Sequence, residues 1–217
     1  MSTLIRPFRI NVILNNLENR SNIKILDIGS GSHSASITKK WIPGVHYTGV
    51  DKNKMYDNDK RDIDSMDDFI ELDLALLDFE KIPGNTYDVI IMSHVIEHLY
   101  NGNKVIEGLI PKLKEGGILY IEFPSEKSIS FPSMRETLNF FDDPTHCRIY
   151  TLYEICNLLM NNHFKILKAR RRRSLTNILL IPIKVIIQSI TKGYIRAGVF
   201  WDLFGFANYV IAKKKII

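Results

Sequence analysis

Seven short apolar runs punctuate the chain: 22–29 (NIKILDIG), 46–51 (HYTGVD), 69–74 (FIELDL), 87–93 (YDVIIMS), 116–124 (GGILYIEFP), 164–170 (FKILKAR) and 207–215 (ANYVIAKKK). Several are near-continuous in β-branched and aliphatic residues, the pattern of parallel strands covered on both faces. Helical candidates lie between them at 33–41, 95–114 and 151–162, and Ile10, Ile13, Leu14 and Leu17 keep helical spacing ahead of the first strand. Asn101-Gly102 is placed to divide 95–114 in two, and Thr151 with Glu154 spells a capping box at the start of 151–162. Strand and helix in alternation predict a single α/β domain over residues 1–217 with a Rossmann-like, doubly wound sheet, and no internal repeat is present.

Composition adds a compartment and an asymmetry. Apolar residues make up 45% and charged residues 24%, as in water-soluble globular proteins. Cys147 and Cys156 form no disulfide framework, which suits a reducing cytoplasm. The opening MSTLIRPFRINVILNN is broken by arginines and a proline, unlike a signal peptide, and no run reaches the ~18 apolar residues of a membrane span. From Lys165 onward twelve Lys and Arg face a single acid, Asp202, whereas the preceding 164 residues hold 17 basic and 23 acidic residues. An acidic body and a basic end are expected to meet different partners. Asp57 to Asp68 carries six aspartates but fails EF-hand spacing, because Arg61 stands where an oxygen ligand is required, so a solvated loop is expected.

Chemistry gathers at the strand ends. In LDIGSGSHS, Gly29 and Gly31 permit a tight turn and close approach of a ligand to the backbone, although Ser34 replaces the third glycine of G-x-G-x-x-G. Asp51 ends the next strand, 20 residues after Gly31, where a carboxylate can accept hydrogen bonds from both hydroxyls of a ribose. Asp73 closes the third strand and Ser93 the fourth, so polar groups recur at the edge where open α/β sheets bind ligands.

LDIGSGS, YTGVDK, ELDLALLDFEKIPGNTYDVIIMSHVIEHL and GLIPKLKEGGILYIEFP resemble the ordered motifs of the class I S-adenosylmethionine-dependent methyltransferases, and the resemblance resumes at 143–167. It implies a three-layer α/β/α fold whose seven-stranded, mostly parallel sheet has an antiparallel last strand. It also implies S-adenosylmethionine as cofactor. Carried over by position, Asp27, Gly29, Ser30 and Gly31 would border its methionine part, and Asp51, flanked by Lys52 and Asn53, would hold the ribose. Asp73 and the backbone of Leu74 would face the adenine amino group, with Ser93 and His94 near the sulfonium.

The stretch SHVIEHL also spells H-x-x-E-H, a zinc-peptidase signature. A buried-type strand runs directly into Ser93, so His94 is expected at a strand-exit turn, and the rings of His94 and His98 need not share a face. No metal site is expected; the alternative of a paired-carboxylate site at Asp142 and Asp143 is the weaker reading. For an alcohol acceptor a base assists transfer; His146 is favoured for that role, with His94 as the alternative. Residues 124–146 form an expected acceptor lid in which Phe131, Phe140 and Phe141 stack on an acceptor or cover the core, and Arg148 binds an anionic acceptor.

Residues 170–205 form a basic, apolar insertion before the last strand. Ile183, Ile186, Ile187, Ile190 and Tyr194 make one stripe, and Lys184, Gln188, Thr191 and Lys192 the opposite face. Such a helix beside four adjacent arginines suits an anionic membrane surface; the competing reading packs the stripe on the body, over the site or into a homodimer. The function expected is O-methylation of a sugar or glycan hydroxyl, in the cytoplasm or peripherally on the inner membrane face. A soluble small-molecule acceptor and a non-catalytic partner protein are the alternatives. Nucleic acid is disfavoured, since the basic cluster lacks interleaved aromatics.

Overall fold

The computed structural model describes residues 6–18 and 20–216. Residues 1–5, part of the segment read as lacking a signal peptide, lie outside the described residues. The strands are β1 (Lys24–Ile28), β2 (His46–Asp51), β3 (Asp68–Glu71), β4 (Tyr87–Ser93), β5 (Leu113–Pro124), β6 (Phe164–Arg171) and β7 (Ala207–Lys214). They form one sheet in the order β3-β2-β1-β4-β5-β7-β6. β1 to β5 pair in parallel, and β7 runs antiparallel between β5 and β6. The chain reverses strand order after β3, returning to place β4 against the other side of β1. That switch point opens a crevice above the carboxyl ends of β1 and β4.

Strand alternation divides the core between the two faces. Leu26, Ile28, Ile90, Met92 and Ile121 point to one face, beneath α4 (Gly102–Leu109) and α5 (Leu152–Asn161). Ile25, Val89, Ile91 and Tyr120 point to the other, beneath α1 (Phe8–Leu14) and α2 (Ser34–Trp41). Burying each such side chain contributes roughly 1.5–3 kcal/mol, so the sheet is held from both sides. A third, smaller cluster of Leu138, Ala197, Phe206 and Ala207 joins the 124–146 segment to the end of the 170–205 insertion.

Three local expectations are corrected. The expected 95–114 helix is a single 3-10 turn at Ile96–His98 followed by α4, because His94 takes a left-handed conformation (φ 56°) that ends the strand without entering a helix. The expected solvated loop at 57–68 contains α3 (Lys60–Ser65), capped by Asp59, and Asp62 is fully buried beneath the hydroxyl of Ser36 and the ring of His33. Thr151 caps α5 through the Glu154 N–H, but the Glu154 carboxylate accepts from Arg148 and Asn103 instead of completing a box. The insertion folds as α6 (Leu175–Leu179), α7 (Ile181–Lys192) and α8 (Trp201–Phe204). Among the described residues no helix is long and apolar enough to cross a membrane.

Candidate active site

The glycine turn after β1 is built for close approach. Gly29 has φ +71°, and a Cβ there would stand 2.4 Å from Val95 Cγ2; at Gly31 a Cβ would stand 3.0 Å from the Tyr56 ring. Ser30 is fully buried, its hydroxyl against Gly49 of β2 and without a hydrogen-bond partner. Asp27 is buried and accepts hydrogen bonds from the hydroxyls of Ser34 and Tyr47. Burial pushes its carboxyl above the usual carboxylate range despite the nearby Arg9 charge. Its role is thus to brace the turn from beneath.

The next two acids differ. Asp51, at the end of β2, accepts only the Asn53 N–H, at 3.1 Å, through Oδ1. Its Oδ2 is unengaged among the described residues, so a diol can reach it. Asp73 is committed: it pairs with Lys52 at 3.0 Å and accepts the Ala75 N–H at 2.9 Å. The bond to Lys52 is the main cause holding its carboxyl below the usual range. Leu74 puts its side chain into the core and leaves its backbone at the start of a 3-10 turn. Tight glycines, an open Asp51 carboxylate and a polar β4 exit fit the nucleoside and amino-acid parts of S-adenosylmethionine.

A cavity of about 880 Å³ adjoins this edge. Ser93, His94, Glu122 and Arg172 form its floor, Arg6, Phe8 and Arg9 one wall, and Leu180, Ile183, Lys184 and Ile187 the roof. The floor is one ionic network. Glu122, paired with Ser93 in register, accepts from Arg172 Nη1 at 2.7 Å, from His94 Nε2 at 3.2 Å and from the Tyr120 hydroxyl. Burial alone would raise the Glu122 carboxyl, but the Arg172 charge and the His94 bond outweigh it and hold the group well below its usual range. Arg172 reaches back to Asp202 at 3.4 Å, and Asp202 also accepts from the Ser174 N–H and Asn177.

His94 donates from both ring nitrogens, Nδ1 to Glu97 at 3.2 Å and Nε2 to Glu122 at 3.2 Å. Burial lowers its pKa, yet those two carboxylates raise it to about 9. Its ring lies 5.0 Å from Trp201 and stacks on Phe206. An imidazolium with both N–H groups committed has no lone pair with which to take a proton. His94 therefore shapes and charges the floor, and its expected role as alternative base is not supported.

The other acceptor-side expectations also move. His146 is off the cavity lining: its side chain is 5% exposed, Nδ1 donates to the Phe140 carbonyl at 2.7 Å, and the ring sits between Phe140 and His98. Arg148 is spent on Glu154 at 2.5 Å and the Tyr100 carbonyl at 2.9 Å, and lies over the Tyr150 ring. Phe140 is buried and Phe131 packs on Phe204, so the 124–146 segment braces the edge of the fold and the insertion, not the expected lid, covers the cavity. Asp142 accepts from Ser133 and the backbone at 134, 138 and 139, which excludes it from a paired-carboxylate site with Asp143.

Sequence reasoning missed Glu122, Arg172 and Trp201. Glu122 left a trace, as the one acid inside the apolar run ILYIEFP. Arg172 is indistinguishable in sequence from the other three arginines of 170–173, yet it points inward to Glu122, and Arg170 bonds the Tyr209 hydroxyl. α7 divides its apolar stripe: Ile183 and Ile187 line the cavity beside Lys184, which bonds Asn177, while Ile186 and Ile190 are 59% and 79% exposed.

The profile of a family described as "Methyltransferase domain" matches residues 6–169, most of the chain. A S-adenosylmethionine-dependent methyltransferase from Archaeoglobus fulgidus shares 20% identity and a TM-score of 0.61, over 95% of this chain and 91% of that one. Phosphoethanolamine N-methyltransferase 2 of Haemonchus contortus, solved with phosphomonomethylethanolamine and S-adenosylhomocysteine, shares 16% identity and a TM-score of 0.66, over 96% and 52%. The [4+2]-cyclase SpnF is similar at 16% identity and TM-score 0.63, over 96% and 81%, so the fold by itself does not fix the reaction. No curated protein matches the chain in sequence.

Proposed function

Because the chain belongs to the class I S-adenosylmethionine-dependent methyltransferases, we propose that it O-methylates a hydroxyl of an anionic, lipid-carried sugar or glycan. The carrying observation is the cavity: its floor is charge-balanced, its other lining cations are Arg6, Arg9 and Lys184, and its roof is apolar through Leu180, Ile183 and Ile187. Positive charge suits a phosphate or carboxylate on the acceptor, and the roof suits an attached hydrocarbon. Asp51 would hold the ribose of the cofactor and Gly29 and Gly31 would admit its amino-acid part, with Ser93 at the adjoining end of β4. The cofactor supplies an electrophilic methyl group. The protein's residues then act by holding the acceptor hydroxyl in line, S-adenosylhomocysteine is the leaving group, and the hydroxyl proton passes to solvent as the new bond forms.

The outward face of α6 and α7 supports peripheral binding to an anionic membrane on its cytoplasmic side. Leu175, Leu179, Ile186 and Ile190 are each more than half exposed. Arg173 and Lys192 are exposed in the same insertion, and its single acid, Asp202, is buried against Arg172. An apolar ridge flanked by Arg173 and Lys192 attracts anionic lipid.

The test is transfer of labelled methyl from S-adenosylmethionine to cell extract split into lipid-linked glycan and water-soluble metabolite fractions, with anionic vesicles present. Label in the lipid-linked fraction is expected. Label confined to the water-soluble fraction overturns the acceptor assignment in favour of a soluble small molecule.

A further inference from the structure

The H-x-x-E-H stretch does assemble ligands, though not the pair its spelling suggests. His94 turns to the cavity floor, whereas Glu97 and His98 meet His146, and one donor atom from each of these three lies within 4.8 Å of the others. The hydrogen bonds around them determine which nitrogen of each ring keeps its lone pair. His146 Nδ1 faces the Phe140 carbonyl, which only accepts, so that nitrogen carries the hydrogen. Thr145 gives its hydroxyl hydrogen to Asp143 at 2.5 Å, so His98 Nδ1 donates to the Thr145 oxygen at 2.9 Å. A hydrogen on each Nδ1 leaves the lone pair of each ring on Nε2. Glu97 gives Oε1 to His94, while its Oε2 is buried with no hydrogen-bond partner in a residue 1% exposed. Each ring thus keeps one acceptor nitrogen, and Glu97 an orphaned carboxylate oxygen, within a single small cluster of possible ligands.

We propose that Glu97, His98 and His146 bind a zinc ion. Three acceptors repel unless a cation stands among them, and two imidazoles with one carboxylate are a ligand set of Zn²⁺. Each ring is already oriented through its other nitrogen by a protein oxygen, the arrangement that metal-bound histidines show. A fourth oxygen is at hand: Asp143 Oδ2 lies 3.9 Å from His146 Nε2. The second cluster of possible ligands, His33, Asp59 and Asp62, has no such vacancy, because Asp62 already accepts from Ser36, His33 and the Asp59 N–H. The ion pins the strand-exit turn to 140–148, which already hangs from the Glu97 carbonyl through the N–H groups of Cys147 and Arg148. It is a structural staple under the active site, independent of the acceptor.

The experiment titrates zinc into the full chain after chelator treatment, with a competing fluorescent chelator, and follows the melting temperature in parallel. One ion per chain, submicromolar affinity and a rise in melting temperature are expected. His98→Gln, at a partly exposed position, should fold and weaken binding about 100-fold or more. His33→Ala should leave the affinity unchanged. Cobalt substitution should give the visible absorption of a four-coordinate site in wild type and not in His98→Gln. Absence of binding, equal affinity in wild type and His98→Gln, or loss of the ion in His33→Ala would each overturn the assignment.

Discussion

Replacing Glu122 by Gln tests the ionic floor. The substitution keeps the volume of the side chain but removes the charge that faces Arg172 at 2.7 Å and His94 at 3.2 Å. All three groups are withdrawn from water, and breaking a buried pair by removing one partner costs about 3–5 kcal/mol. Glutamine retains one acceptor oxygen, and Arg172 keeps Asp202. The loss should therefore fall near the lower end, about 3 kcal/mol, or a drop of about 6–12 °C in melting temperature for a chain of this size. Urea denaturation followed by tryptophan fluorescence measures it. The pH dependence supplies a second check. The Glu122 carboxyl is held below its ordinary value of 4.5 in the folded chain, so its stabilisation is full above that pH and fades as pH falls through the acid range. The gap between wild type and Glu122→Gln should shrink on going from pH 7 towards pH ~3.5. A loss under about 1 kcal/mol at pH 7, or a gap that stays constant with pH, would refute the reasoning.

Two further outcomes follow from other parts of the molecule. Gly29→Ala places a methyl 2.4 Å from Val95 Cγ2 at φ +71°, and should cost about 1–3 kcal/mol and abolish binding of S-adenosylhomocysteine in calorimetry; an unchanged melting temperature would count against the cradle. Ile186→Glu with Ile190→Glu alters only exposed positions, so stability should hold within about 0.5 kcal/mol while sedimentation with anionic vesicles falls about 100-fold; unaltered vesicle binding would remove the ridge from that role.

Much of the sheet was legible because parallel strands buried on both faces write themselves as unbroken β-branched runs, as YDVIIMS and GGILYIEFP do. The ends of those strands were legible too, since Gly29, Gly31 and Asp51 occupy positions fixed by backbone geometry. What failed was whatever depends on contacts remote in sequence. Arg172 looks like its three arginine neighbours until β5 supplies Glu122, fifty residues earlier. His146 looks like a base because its segment is expected to cross the acceptor mouth, but Phe140 and His98 enclose it. The apolar stripe of α7 is legible in its spacing but its direction is not, because periodicity states that a helix has two faces and not which of them meets the body.

Calorimetric titration of S-adenosylhomocysteine into wild type and Asp51→Asn, side by side, tests the central claim that this strand edge is a methyl-donor site. Asp51 supports only the Asn53 N–H, so its loss should leave the fold intact. Removing a charged acceptor of about 1.5–3 kcal/mol should weaken binding about 10–100-fold. One-to-one binding by wild type with that loss in the variant is the expected result. No binding by either protein, or equal binding by both, would contradict it.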